Sequence, residues 1–272
     1  VQRPRLVASD VDGTLLGAGD EPSARTRAAV GRMVDAGVPL VLATGRPPRW
    51  VPRVCEALGV HTLTVAANGA VLYDAAADRV VAAELLDVDV LAEVVARLRA
   101  AVPGCGLAVE RVRVGGGALD RREEQFVSEA AYVHAWPLPD HRHVSPGELL
   151  GEPVVKVLAR HRTLSSEAMA RAARDAVGDL VDVTYSAGGG LLECAPRGVT
   201  KAHGLARAAA HHAVEAHAVV AFGDMPNDLA MLRWAGHGVA VGNAHPDVLR
   251  VADEVAASNL EDGVASVLER WF

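Results

Sequence analysis

The stretch LVASDVDGTL, residues 6–15, ends a short apolar run on two aspartates, Asp10 and Asp12, with Gly13 and Thr14 behind them. Carboxylates at that spacing repel each other, and a charge at the end of a buried strand is costly unless it is partnered. D-x-D-G also suits an ordinary turn, because Asp and Gly favour turn geometry. The chemical reading is that a cation and a phosphate meet there. Three later stretches offer matching groups: Thr44 in ATGR, Lys201 after PRGVT, and Asp224, Asn227 and Asp228 in FGDMPND. Each has a plain alternative. T-G-R is a common strand-to-turn tripeptide, an isolated lysine is usually a surface residue, and G-D-x-x-N-D can cap the next helix through Asx-type bonds. All of them together, in this order and after apolar strands, favour one shared crevice.

The elements that must position these groups alternate. Residues 5–9 read as a buried strand and 22–36 as a helix, with Pro22 at its start and Gly37 past its end. Residues 39–43 form a second strand, 47–58 a helix stopped by Gly59, and 63–67 a third strand, followed by NGA and VLYD. This is the βαβαβ rhythm of a parallel sheet covered by helices. From residue 84 the rhythm changes. Residues 87–101 carry apolar side chains at helical spacing. GLAVER, a Gly-rich turn at 115–117 and a poorly periodic stretch holding Trp136 and several histidines follow. VVKVLARH and VDVTYS read as strands around a helix at 165–177, and GGG at 188–190 as a hinge or a turn. The βα rhythm then resumes with a helix at 200–212, the strand VVAFGD, a helix at 226–235, the strand GVAVGN and two short helices. We therefore expect an α/β protein. Its Rossmann-like parallel-sheet core spans residues 1–83 and 188–272, interrupted by an inserted α/β cap at 84–187. Open parallel sheets bind ligands beyond the carboxyl ends of their strands. Three strand ends thus deliver Asp10, Asp12, Thr44 and Asp224 to one edge, and Lys201 opens a helix whose N-terminus favours anions.

Composition bounds the function. The chain has 272 residues, 50% hydrophobic and 22% charged, which suits a globular protein with a sizeable core. A formal net charge of −7 and the lack of any Lys/Arg run make nucleic acid an unexpected partner. The three cysteines, Cys55, Cys105 and Cys194, are widely spaced and form no C-x-x-C pair, which points to reduced thiols. No apolar run approaches the roughly 18 residues of a membrane span, and no signal peptide is visible. We expect a cytoplasmic protein without a membrane partner. Abundant Ala, Val, Arg and Gly with few Lys and Ile suggest a GC-rich bacterial genome.

DVDGTL, TGR, the single Lys201 after PRGVT, and GDMPND resemble the four motifs of the haloacid dehalogenase superfamily of phosphohydrolases. Their order, the NGA at 68–70 and the insertion between the second and third motifs are similar to its Cof-type (type IIB) branch. Met225 and Pro226 stand where many relatives have Asn and a variable residue, and Ala202 where Gly is frequent; no charged group is lost. The resemblance implies a Mg²⁺ ion held by the Asp10 carboxylate, the Asp12 backbone carbonyl and the Asp224 carboxylate, with Asp228 in support. Mg²⁺ is a hard ion suited to such oxygen donors. It implies Asp10 as a nucleophile forming an aspartyl-phosphate, Asp12 as general acid and base, and Thr44 and Lys201 on the phosphoryl group. Gly45, Arg46, Asn68 and Asn227 complete the expected substrate contacts. The implied activity is Mg²⁺-dependent hydrolysis of a small phosphorylated metabolite, a sugar phosphate foremost. A phosphotransferase or mutase using the same intermediate is one alternative. A non-catalytic sugar-phosphate-binding protein is another, although binding alone does not need Asp10. The cap would close over the crevice, with His141, Arg142 and Tyr185 as candidate contacts. The histidines at 134, 141 and 143 match no common zinc spacing.

Overall fold

A computed structural model describes residues 2–17, 21–120, 122–134, 142–186 and 189–272; Trp136, His141 and Gly188 lie outside the described residues. In chain order the strands are β1 (Leu6–Ser9), β2 (Leu40–Ala43), β3 (Leu63–Ala66), β4 (Val71–Asp74), β5 (Arg79–Ala83), β6 (Gly106–Glu110) and β7 (Phe126–Ser128). They continue with β8 (Arg142–His143), β9 (Lys156–Arg160), β10 (Val181–Thr184), β11 (Leu191–Pro196), β12 (Val219–Gly223), β13 (His237–Ala240) and β14 (Glu254–Val255).

Eight of them form the core sheet in the order β14-β13-β12-β1-β2-β3-β4-β5. β1 lies at its centre, with Val7 paired to Val220 of β12 on one side and Leu40 of β2 on the other, both in parallel. Strands buried on both faces read as continuous apolar runs, and β1 and β2 are buried at every position. Val7, Leu40 and Leu42 pack with Val30, Met33, Val54 and Leu268 on one side of the sheet. Leu6, Ala8, Val41 and Ala43 pack with Leu205, Ala208, Met231 and Val248 on the other. The first helix is two residues shorter at its start than expected, running Ala24–Asp35. Ser23 accepts a hydrogen bond from Thr26 N at 2.9 Å ahead of helix Ala24–Asp35. Gly59 closes helix Val51–Leu58 in the left-handed conformation at φ 71°.

The sheet is the expected parallel one as far as β3, and an antiparallel extension follows, β4 running against both β3 and β5. The NGA turn that joins β3 to β4 is too short for a crossover, so the chain must return as a hairpin. One expectation is corrected, the bounds of the insertion. Six strands form a separate sheet in the order β10-β11-β9-β6-β7-β8. β11 pairs antiparallel with both β10 and β9, so the chain returns to the core after Pro196 rather than at residue 188. Read locally, LLECAP is an apolar strand like those of the core, and only its long-range pairing reveals its sheet.

One face of the second sheet is covered by helices Val88–Ala101 and Ser166–Val177, through Leu91, Val95 and Leu98 and through Met169 and Ala173, against Leu107, Val109, Val157 and Cys194. The opposite face carries Ala108, Phe126, Leu158 and Leu191, with the charged Glu110, Lys156 and Glu193 in register among them. Those three charges are all buried. All three cysteines are buried and free.

Candidate active site

Parallel neighbours β1 and β12 end side by side, and Asp10 N donates to Phe222 O at 2.9 Å. Their carboxyl ends therefore bring Asp10 and Asp224 together. Asp10, Asp224 and Asp228 offer carboxylate oxygens within 4.8 Å of one another, the one group of metal-compatible side chains found among the described residues. Gly13 makes this approach possible. It has φ 77°, and a Cβ there would sit 2.6 Å from Asp224 Oδ2. Thr14 Oγ1 donates to Asp224 Oδ1 at 2.8 Å.

Lys201 opens helix Lys201–His211, capped by Thr200, whose side chain accepts from His203 N. The NGA turn seats this helix, because a Cβ on Gly69 would lie 1.9 Å from Thr200 O. The Lys201 ammonium is wholly buried, 2.5 Å from Asp10 Oδ1 and 2.6 Å from Asp228 Oδ1. Asp228 Oδ2 accepts from the backbone N–H groups of Asp224 and Met225, each at 3.0 Å. Both Asp228 oxygens are thus already engaged, which suits a supporting role better than that of a principal ligand. Burial raises Asp10 well above the usual carboxylate range, Lys201 opposes that shift, and the charges of Asp228, Asp224 and Asp12 add to it. Asp224 is pushed up to about 6, by burial first and then by Asp228. The ammonium of Lys201 is stabilised by the same carboxylates despite its burial.

The remaining expected residues form an inner and an outer group. Thr44 is buried, and its Oγ1 accepts from Arg46 N at 3.0 Å. Arg46 does not reach into empty space. Its Nε lies 2.9 Å from Asp12 Oδ2 and its Nη2 2.5 Å from Asp12 Oδ1, while the Asp12 side chain is 51% exposed. Asn68, in the left-handed conformation at φ 57°, donates from its backbone to Thr44 O at 3.0 Å, and its side chain meets Asn227. Gly45 turns its carbonyl to Lys156 of the cap at 2.9 Å.

Of the cap residues expected at the crevice, Tyr185 is buried where the two sheets meet, with its ring centroid 6.4 Å from that of His245. Arg142 is exposed on the edge strand β8 and pairs with Glu148 at 2.5 Å. His143 Nδ1 lies 3.1 Å from Ser128 Oγ instead of a metal-like cluster. Sequence reading missed Lys156, Glu193, Arg49 and Glu110. Arg49, from the core, forms a buried ion pair with Glu110 at the end of β6. Lys156 and Glu193 pair at 2.6 Å with both side chains 4% exposed. Lone charges inside VVKVLAR and LLECAP were the available signal, since a buried charge needs a partner.

The donor set fits a hard divalent cation, because every side chain of the cluster offers carboxylate oxygen and the neighbouring lysine cannot neutralise all of it. Comparison with known proteins agrees with this chemistry. The family model of haloacid dehalogenase-like hydrolases matches residues 7–268. A 5-amino-6-(5-phospho-D-ribitylamino)uracil phosphatase of Bacillus subtilis, YitU, is 28% identical, covering 99% of this chain and 98% of its own. An HMP-PP phosphatase of Yersinia pestis is 27% identical, covering 98% of this chain and 95% of its own. The crystal structure of a haloacid dehalogenase-like hydrolase from Bacteroides thetaiotaomicron superposes with a TM-score of 0.75 at 25% identity, covering 98% of this chain and 99% of that one. With the strand-end carboxylates, the buried lysine and the second α/β sheet all in place, the chain belongs to the haloacid dehalogenase-like hydrolases of the Cof type and is a phosphoric monoester hydrolase.

Proposed function

We propose that this protein is a Mg²⁺-dependent phosphatase that hydrolyses a small phosphorylated metabolite, a sugar phosphate, through an aspartyl-phosphate on Asp10. The observation that carries the reading is the buried cluster in which Lys201 touches Asp10 and Asp228 while Asp224 stands alongside. The phospho-ribityl group in the name of the Bacillus relative supports a polyhydroxylated substrate.

Asp10 and Asp224 would hold the metal, with Asp228 supporting them; the Asp12 backbone carbonyl is the further donor that the family resemblance supplies. When bound, the ion neutralises carboxylate and phosphoryl charge and draws in the equatorial oxygens. Asp10 attacks phosphorus in line, so an Asp10–phosphorus bond forms as the ester P–O bond breaks. Asp12, once released by Arg46 and protonated from solvent, gives that proton to the departing oxygen and later takes one from the water that cleaves the acyl phosphate. To do so it must exchange Arg46 for the leaving group. Thr44 accepts from Arg46 N, which leaves its hydroxyl proton for a phosphoryl oxygen. Lys201 offsets the negative charge that builds beside Asp10. Gly45, Arg46, Asn68 and Asn227 line the substrate side.

Phosphate release from p-nitrophenyl phosphate, with Mg²⁺ and after exhaustive chelation, tests the reading. Turnover that depends on the metal and vanishes in Asp10→Asn supports it. Turnover that survives chelation removes the metal role, and binding of sugar phosphates with no release of phosphate favours the non-catalytic alternative.

A further inference from the structure

Three successive carbonyls in the turn after β2 are held from two different directions. Thr44 O accepts from Asn68 N at 3.0 Å and Arg46 O from Ala67 N at 2.9 Å, both backbone bonds within the core. Gly45 O, between them, accepts from the Lys156 ammonium of β9 in the cap at 2.9 Å. Lys156 is buried, and Glu193 of β11 takes a second of its hydrogens at 2.6 Å. A charged donor makes a stronger bond than a neutral one, and a glycine has no Cβ to hinder rotation of the peptide that follows it. The Gly45–Arg46 peptide thus takes its orientation from the cap.

The other end of the same peptide shows what that orientation controls. The unit is trans and planar, so its C=O and N–H point in opposite directions. With the carbonyl drawn toward Lys156, the Arg46 N–H is aimed back at Thr44 Oγ1, to which it donates at 3.0 Å. A hydroxyl that accepts in this way keeps its own proton to donate, and Thr44 is the group proposed above to give that proton to a phosphoryl oxygen. None of these links involves a leaving group. Resting on the phosphatase reading above, we infer that Lys156 is a positioning residue that acts through the Gly45–Arg46 peptide to turn the Thr44 hydroxyl toward the phosphoryl group. The cap then contributes to the grip on phosphate itself, and not only to the choice of leaving group. A lysine that merely joined the two sheets would lower stability and leave that grip to the core.

The probes are inorganic phosphate, as a competitive inhibitor, and p-nitrophenyl phosphate, both in Mg²⁺ buffer. Removing Lys156 alone would leave Glu193 buried and unpaired, so the comparison is made within Glu193→Gln. There the amide oxygen can stay opposite Lys156 and Asn68, and its NH₂ can face the Ser186 hydroxyl, which accepts as well as donates. Relative to Glu193→Gln, the variant Lys156→Met/Glu193→Gln should bind inorganic phosphate at least about fivefold more weakly and lose at least about fivefold in kcat/KM for p-nitrophenyl phosphate. Thr44→Val in the Glu193→Gln background should lose at least as much. Adding Lys156→Met to that variant should then cost less than about twofold, because the hydroxyl through which Lys156 acts is already gone. Losses that multiply would mean that Lys156 acts by its charge or by general support, and they overturn the inference. Equal phosphate affinity in Glu193→Gln and Lys156→Met/Glu193→Gln overturns it as well. A parent that fails to turn over p-nitrophenyl phosphate instead overturns the phosphatase reading itself.

Discussion

The ammonium of Lys201 lies 2.5 Å from Asp10 Oδ1, with the lysine side chain fully buried and that of Asp10 7% exposed. The contact offsets part of the cost that burial puts on the carboxylate's charge, beside the group proposed above as the nucleophile. Asp10→Asn removes the proposed nucleophile and keeps the shape. Turnover of p-nitrophenyl phosphate should fall by at least about a thousandfold, with a far-UV circular dichroism spectrum matching the parent. A purified variant that retains a tenth of the parental rate would exclude Asp10 as the attacking group.

Lys201→Met tests the other side of the same contact. Removing one partner of a buried ion pair typically costs about 3–5 kcal/mol, and here three carboxylates would be left close together. The variant should melt well below the parent in metal-free buffer. Mg²⁺ should then raise its melting temperature by more than it raises that of the parent, because ligand binding stabilises the folded state by mass action and the cation now supplies the missing charge. Equal shifts in the two proteins would place the metal away from Lys201.

Much of this site was legible in the sequence, and the reason is geometric. Asp10, Thr44 and Asp224 each follow a short apolar run, and parallel strands must all end at the same edge. Local chemistry at those ends therefore converts directly into proximity. Lys156 and Glu193 are a different case. Each lies within an apolar strand of the cap, and nothing local states that β9 and β11 are neighbours. The same blindness to long-range antiparallel pairing put the cap boundary ahead of β11. The Arg46–Asp12 clamp was also hidden, because both residues looked like separate contacts to substrate and only the fold shows them occupying each other.

Glu193 gives the fold a pH signature. Burial, the largest influence, raises its pKa, but the charge of Lys156 and the hydrogen bonds from Lys156 and Ser186 outweigh it, so the net shift is downward. The folded state thus binds the Glu193 proton less readily than the unfolded chain does. The stabilisation is complete above the ordinary glutamate range near pH ~4.3 and is lost as the pH falls through the lower folded value. Urea melts of the parent and of Glu193→Gln should differ by about 3 kcal/mol near pH 7, and the difference should shrink as the solution is acidified below pH ~4. A difference that stays constant from neutral to acid would mean that packing, not charge, is what the substitution removed.

Arg46 is expected to separate stability from activity. Its carboxylate partner is 51% exposed, so the pair adds at most about 1 kcal/mol to folding. Arg46→Ala should unfold within that margin of the parent. On the proposed reading, in which the guanidinium that releases Asp12 takes up substrate oxygens, it should nonetheless lower kcat/KM for a sugar phosphate by about tenfold or more. Arg46→Lys keeps the charge but not the planar fork and should recover only part of the loss. Parental kinetics in Arg46→Ala would remove this residue from the substrate side of the site.

Selectivity among leaving groups should follow Tyr185 and not Arg142. In the proposed mechanism the core carboxylates and Lys201 act only on the phosphoryl group, which every substrate shares, so discrimination must come from contacts made to the rest of the molecule in the transition state. Tyr185 is buried against His245, whose backbone N–H donates to Asp224 O at 2.8 Å, so its ring is tied to the loop that carries a metal-ligand candidate. Arg142 spends its charge on Glu148 at an exposed edge of the cap. A panel of sugar phosphates run beside p-nitrophenyl phosphate distinguishes them. Tyr185→Leu should reorder the panel by more than it slows the activated aryl ester, whose departure needs little help. Arg142→Ala should leave both the order and the rates within about twofold, since exposed ion pairs contribute little. A reordered panel in Arg142→Ala would place the edge strand β8 over the crevice after all, and equal losses on every substrate in Tyr185→Leu would assign Tyr185 to the joint between the two sheets and not to recognition.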